Sequence, residues 1–199
     1  MGMAARMAHL GAINAGRQQT VSFADNFNRA NSSSLGSNWA EYDGGGLSIS
    51  SNLLQGGSGS ALWETDCLTD SQFSQASIGP DRVGIILLAV RAGTSGWPVV
   101  WGSVSPSTGQ WWIYTDPSNA SGNTVTRASG TTSTSAMATG LPVRIEAIGS
   151  VYTLKLDGAP IPDATWTDSG NVHVPGPTRR RVGIRLQDCN VDEWVGGDL

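Results

Sequence analysis

The segment Val143-Arg-Ile-Glu-Ala-Ile-Gly-Ser-Val-Tyr-Thr-Leu-Lys-Leu-Asp-Gly158 carries the reading of the fold. Val143, Ile145 and Ala147 alternate with Arg144 and Glu146; past Gly149-Ser150, Tyr152, Leu154 and Leu156 alternate with Thr153 and Lys155. Neighbouring side chains of a strand point to opposite faces, so each half has one apolar and one polar face. That is the mark of an antiparallel sheet packed on one side only. Gly149-Ser150 turns the chain once, and Asp157-Gly158 is a favoured pair for a second tight hairpin. Val182, Ile184 and Leu186, alternating with Arg185 and Gln187, repeat the pattern further on.

Working outward, β signals continue from Thr20 onward. Val21 and Phe23 alternate into Phe27, and Leu47-Ser-Ile49 and Leu53-Leu54 are bracketed by Gly44-Gly-Gly46 and Gly56-Gly57. Further strands are expected at Ala61–Leu68, Gln72–Ile78, Val83–Arg91, Val99–Val104, Gln110–Thr115, Thr124–Ala128, Pro142–Ile148, Val151–Leu156 and Arg181–Gln187, with Ser129–Thr139 as a loop. Short strands with turns every ~8–12 residues indicate a sandwich or barrel. The apolar run Val83–Val90 is far too short to span a membrane and reads as a strand buried on both faces.

With 199 residues, the chain is long enough for one domain with a sizeable core. Its charged fraction of 14%, with 26 glycines, suits strands and exposed turns better than helices. A net charge of −4 argues against nucleic acid as a main partner, since phosphate binding needs a concentrated positive surface. The basic cluster Arg179-Arg180-Arg181 reads as a solvated strand entrance. Cys67 and Cys189 are too isolated for a metal signature and are expected as two buried thiols, with a bridge as the alternative.

Residues 1–19 differ from the domain that follows at 20–199. Met3, Met7 and Leu10 fall on one helical face with Ile13 beside it. Arg6 and His9 interrupt the apolar part, which makes a poor signal peptide, and Arg6 also spoils a myristoylation motif. So short a helix is unstable alone, so the arm is either frayed or ordered by docking, and docking onto a neighbouring subunit is the expectation.

Phe23-Ala-Asp-Asn-Phe-Asn-Arg-Ala30 with Leu35-Gly-Ser-Asn-Trp39, the Leu154–Gly158 hairpin, Val182-Gly-Ile184 and Val191-Asp-Glu-Trp-Val195 together resemble the two ends of concanavalin A-like, laminin G-like jelly rolls. Modules of this kind are common in virion proteins of actinobacterial phages. The resemblance spans roughly residues 20 to 199, though its motifs lie at the two ends. It implies an all-β antiparallel sandwich whose first and last strands pair and close a sheet. Asp25 and Asp192 then lie near one another at a sheet margin. With Asn26 they are calcium candidates, although turn-capping carboxylates are the preferred reading.

Polysaccharide-cleaving enzymes on this fold carry Glu-x-Asp-x-Glu on one strand, and retaining cleavage needs two carboxyls ~5 Å apart. Here Glu64-Thr-Asp66 is followed by Leu68, so the second glutamate is missing. His9 and His173 are too few for a metal site or a hydrolytic triad. The outstanding chemistry is aromatic: of eight tryptophans, four lie between positions 97 and 112. Sugars stack their C–H faces on exposed indoles while nearby polar groups hold the hydroxyls. Core packing accounts for most buried tryptophans and is the first reading of this cluster; as the alternative, Trp97, Trp101, Trp111 and Trp112 are glycan-binding candidates, with Gln110, Tyr114 and Asp116 as polar neighbours. Trp111 and Trp112 must point to opposite faces, one into the core.

These readings converge on a non-enzymatic phage virion component, a minor tail or fibre protein assembled in the host cytoplasm and facing outward. The arm is expected to bind other virion proteins, the protein to be a homo-oligomer, and the lectin-like face to touch host cell-wall glycan. No cofactor, nucleic acid or membrane insertion is expected. The alternatives are a capsid decoration protein and a secreted carbohydrate-binding module or glycoside hydrolase.

Overall fold

The computed structural model describes residues 19–42, 46–118 and 123–199, and in them fifteen strands follow one another with no intervening helix. In chain order these are β1 (Ser22–Asp25), β2 (Trp39–Tyr42), β3 (Leu47–Ser50), β4 (Leu53–Gly56), β5 (Gly59–Trp63), β6 (Gln72–Ile78), β7 (Ile85–Ala92) and β8 (Val99–Ser105). There follow β9 (Gln110–Asp116), β10 (Val125–Thr131), β11 (Pro142–Ile148), β12 (Val151–Leu156), β13 (Ala159–Thr167), β14 (Arg181–Gln187) and β15 (Cys189–Asp198). One sheet runs β13-β12-β11-β6-β15-β4-β3 with β1 added on β15, and the other runs β10-β9-β8-β7-β14-β5-β2.

The first and last strands meet as expected, in antiparallel register from Ser22↔Gly197 to Asp25↔Trp194. The Asp198 carboxylate locks this junction by accepting the amides of Val21, Leu68 and Thr69 and the Thr69 hydroxyl. The alternating segment forms the β11–β12 hairpin, with Val143↔Leu156 and Ile148↔Val151 as its outer pairs. Asp157 and Gly158 take φ of 49° and 77° in the tight turn into β13. Two positive φ values in a two-residue loop match the strand twist, which explains the Asp-Gly pair.

Ile145 and Leu154 from one sheet meet Leu88, Val104, Ile113 and Ile184 from the other in the buried interior. Gly102 makes room for that contact: a Cβ there would lie 2.6 Å from Ile145 Cδ1 and 2.7 Å from Leu154 Cδ2. The terminal motifs supply an aromatic layer. The Trp39 ring lies 4.6 Å from Trp194 and 5.2 Å from Trp63, and Phe27 stacks on Trp39 at 6.4 Å. Each such pair contributes ~0.5–1.5 kcal/mol beyond the area it buries. Trp194 Nε1 donates to Ser74 Oγ, which donates to the Gly183 carbonyl, joining β15 and β6 to β14 of the opposite sheet.

One end of the sandwich is held by a buried polar network. Arg91 donates to the Tyr152 hydroxyl at 2.7 Å and to the carbonyls of Asp70 and Gly149, with its guanidinium over the Tyr152 ring. His173 places Nε2 2.9 Å from the Arg91 carbonyl, and its backbone amide donates to Asp168 at 2.7 Å. A carbonyl only accepts, so Nε2 carries the proton. Burial pushes the imidazole down to about 4, and the nearby Arg179 and Arg91 charges add to that, against the Arg91 carbonyl and Asp168.

Several expectations need correction. The strand expected over Ala61–Leu68 ends at Trp63, because Glu64 and Asp66 leave the ladder to pair with Arg181. The cluster at Arg179–181 is accordingly not merely solvated: Arg181 binds those carboxylates and Arg180 binds Asp70. β2 and β13 were not expected; β13 contains Pro160 and Pro162, which an edge strand tolerates because one side needs no amide donors. The loop expected from Ser129 begins later, since β10 continues to Thr131, and it sends Met137 into the core. Met3, Met7, Leu10 and Ile13 lie outside the described residues.

Candidate functional site

Register brings selected side chains together on the outer face of the second sheet. Arg185, Leu87, Ser103 and Trp112 form one row across β14, β7, β8 and β9. Leu62, Gly183, Ala89, Trp101 and Tyr114 form the next. Leu62, Leu87, Ala89, Ala92, Val99 and Trp101 bury one another there, with Tyr42, Ile85, Trp97 and Tyr114 packed around them. This outer cluster is why β7 is apolar on both faces. At its margin lies a groove of about 300 Å³ lined by Leu87, Trp101, Tyr114, Asp116, Thr124, Arg185 and Gln187.

β9 positions the aromatic pair. Its odd residues Trp111, Ile113 and Thr115 are buried, whereas Trp112, Tyr114 and Asp116 are half-buried on the outer face. Trp112 and Tyr114 stack with centroids 6.2 Å apart and planes 21° from parallel. Burial pushes the Tyr114 hydroxyl up, with Ser103 opposing that shift. Asp116 accepts the Ser118 amide and, at 3.5 Å, the Thr124 hydroxyl, which fixes it at the groove's rim. The result is a flat aromatic surface beside carboxylate, amide and guanidinium groups.

The expected candidates therefore divide. Trp101, Tyr114 and Asp116 line the groove, and Trp112 lies outside its lining, stacked on Tyr114. Gln110 shares their face but sits at the far end of β9, exposed and bonded to Thr108. Trp97 does not line this groove; it packs on the same outer cluster, edge-on to Tyr42 at 6.0 Å. Trp111 leaves the set: it is buried among core residues, so close to Gly130 that a Cβ there would lie 2.5 Å from its ring. Sequence reasoning missed Leu87, Thr124, Arg185 and Gln187. The alternation in β14 already put Arg185 and Gln187 on an outward face, but only strand order sets that face beside β7, β8 and β9.

A larger groove of about 480 Å³ lies elsewhere, between the β3–β4 hairpin and the chain at Asp81 and Asp188–Asn190. Its lining includes Ser48, Gln55, Asp81 and Asp188 but no aromatic ring, so it offers a sugar nothing to stack on. Glu64 and Asp66 share the Arg181 guanidinium at 3.2 and 3.1 Å, beyond the end of β5. Asp25 is a turn cap: its carboxylate accepts the Phe27 amide, the Arg29 guanidinium and Trp39 Nε1. Burial would raise its pKa, but these bonds outweigh burial and hold it below the usual value. Asn26 caps the Asn28 amide, and Asp192 is exposed. Among the described residues, no three His, Cys, Asp or Glu side chains are grouped to hold a metal ion. Cys67 and Cys189 are free and buried, and burial pushes both thiols up, Cys189 to about 12.

The sandwich is similar to the carbohydrate-binding module CBM66 from Bacillus subtilis, with a TM-score of 0.59 and 14% identity over 78% of this chain and 91% of that one. It is also similar to a Bacillus licheniformis β-glucanase, with a TM-score of 0.57 and 14% identity over 89% and 98% of the two chains. A third similar structure is the CBM2 module of the evolved Dit of Lactobacillus casei BL23 phage J-1, with a TM-score of 0.54 and 14% identity over 90% and 96%. No family model and no curated protein matches the sequence. At such identities the likeness establishes the fold, a concanavalin A-like, galectin-like β-sandwich.

Proposed function

We propose that this chain is a glycan-binding sandwich displayed outward on a bacteriophage particle, as a minor tail or fibre component. The observation that carries the reading is the stacked Trp112–Tyr114 pair, whose Tyr114 lines one groove together with Trp101, Asp116, Arg185 and Gln187. Aromatic faces take the apolar C–H side of a sugar ring, while the carboxylate and amide take its hydroxyls. The role is binding without turnover: Glu64 and Asp66, the nearest approach to a carboxylate pair, are joined to Arg181 away from the groove. Likeness to a phage Dit module supports the setting on a particle. Residues 1–19 are the proposed anchor to other virion proteins, with several copies assembling together.

A panel of bacterial cell-wall glycans, probed with the full chain, tests the reading. Trp112→Ala and Tyr114→Ala should each weaken capture about tenfold, the scale of one lost aromatic contact, while Gln55→Ala in the larger groove leaves it unchanged. Reducing-sugar release abolished by Glu64→Gln would make the chain a glycosidase instead. Immunogold label along the tail supports the tail assignment; label confined to the capsid shell makes it a decoration protein of the same fold.

A further inference from the structure

Of the large apolar side chains exposed among the described residues, most gather at one end of the sandwich. They are Leu68, Ile148, Val151, Val172, Val174 and Leu199, at 46, 55, 37, 52, 52 and 39% exposure; Val83 and Val125 are the others. Hydrogen bonds link the neighbourhoods of five of the six, and Val174 follows two residues after Val172, its carbonyl accepting Arg179. The Leu68 amide binds Asp198, next to Leu199, and Arg180 binds both the Leu68 carbonyl and the Asp70 carboxylate. The Asp70 carbonyl accepts Arg91, whose guanidinium also reaches Gly149 in the turn between Ile148 and Val151. Asp168 accepts the Val172 amide and donates its own amide to Ser150 in the same turn. Single exposed apolar residues are ordinary on a surface, but a gathered set calls for a cover.

The chain enters β1 at this same end. Val21 exchanges hydrogen bonds with Asp198, its amide donating to the carboxylate and its carbonyl accepting the Asp198 amide at 2.8 Å. The residues before it therefore begin beside Leu68 and Leu199, at the margin of the apolar end. In sequence they carry Met3, Met7, Leu10 and Ile13, a stripe of matching chemistry that a short helix cannot keep in water unaided. A tethered segment meets its own domain at an effective concentration on the order of millimolar, which gives it the advantage over a separate copy.

We infer that residues 1–18 lay this apolar stripe across the end of their own sandwich, over Leu68, Ile148, Val172 and Val174. The occupant is the chain's own arm. The inference does not depend on glycan binding. On a particle, the anchoring role then requires the arm to give up its own end-face for a neighbour's surface.

The test uses the full-length chain with one cysteine in the arm, at Met7 or Leu10, and one at Ile148 or Val172. Native Cys67 and Cys189 are buried. Mild oxidation should give a cross-link within the monomer whose yield does not change on dilution. Independently, Met7→Asp with Leu10→Asp should speed amide exchange at residues 148–151 and 172–174 about tenfold, while near-ultraviolet dichroism of the tryptophans stays unchanged. Cross-linked dimers in place of monomers would assign the cover to a second copy and overturn the inference. Absence of any cross-link together with unchanged exchange would overturn it as well.

Discussion

Acidification from pH 7 to pH 5 should remove about 2 kcal/mol of stability through His173 alone. Its imidazole, 2% exposed, binds the Arg91 carbonyl as a neutral donor and titrates in the native state at about 4. In the unfolded chain it titrates near ~6.5. As pH falls through the unfolded value, the unfolded state gains a proton that the native state refuses. Stability is thus full above the unfolded value, declines between pH 7 and 4, and levels off near 3 kcal/mol of loss once the native imidazole also protonates. The charges facing the ring are Arg91 and Arg179, which oppose its protonation, and Asp168, which favours it. Asp25 does not blur measurements between pH 7 and 5, because with a depressed native pKa its loss begins only as pH falls through the ordinary carboxylate value. Urea unfolding followed by tryptophan fluorescence at pH 7, 6 and 5 measures the effect. His173→Gln keeps a donor for the carbonyl but cannot titrate, so its stability should be nearly flat over that range. A parent as flat as His173→Gln, or a variant as steep as the parent, would refute the reasoning.

Other outcomes can be measured with equal directness. Asp25→Ala strands Trp39 Nε1 and leaves Arg29 only the Leu35 carbonyl as a hydrogen-bond partner, and urea unfolding should register a loss of about 1–3 kcal/mol. At acid pH the difference between Asp25→Ala and the parent should narrow, since a group with a depressed native pKa stabilises only while ionised. Gly102→Val forces side-chain atoms against Ile145 and Leu154, and a thermal melt should show a loss of about 1–3 kcal/mol or more from overpacking. Cys67 and Cys189, buried with raised pKa values, should react with an aromatic disulfide reagent at pH 8 only as fast as the protein opens. Rapid labelling of the native protein would contradict their burial.

The sandwich was legible wherever one face of a strand is wet. The alternation of β11, β12 and β14 gave both their existence and their inward faces, and Asp157-Gly158 announced its turn through the φ values it must adopt. β13 escaped because prolines count against a strand unless it is known to lie at an edge, and edges are set by strand order. The strand over Ala61–Leu68 was overextended because nothing local reveals that Glu64 and Asp66 turn away toward Arg181, more than a hundred residues later. The candidate site was half visible for the same reason. Alternation separates Trp111 from Trp112 and groups Trp112, Tyr114 and Asp116. Adding Leu87, Arg185 and Gln187 takes knowledge that β7 and β14 lie beyond β8.

The pairing of β1 with β15 also fixes how the domain carries mechanical load. β1 is entered at Val21 and β15 is left at Asp198, side by side at one end. Force drawing Val21 and Leu199 apart would peel the four register pairs one after another, starting from Ser22↔Gly197. Force drawn along the axis of β1 against a hold on the other sheet would instead strain all of those pairs at once. A pull entering through Val21 would therefore load the domain in its stiff direction, whereas one shared between Val21 and Leu199 would load it in its weak one.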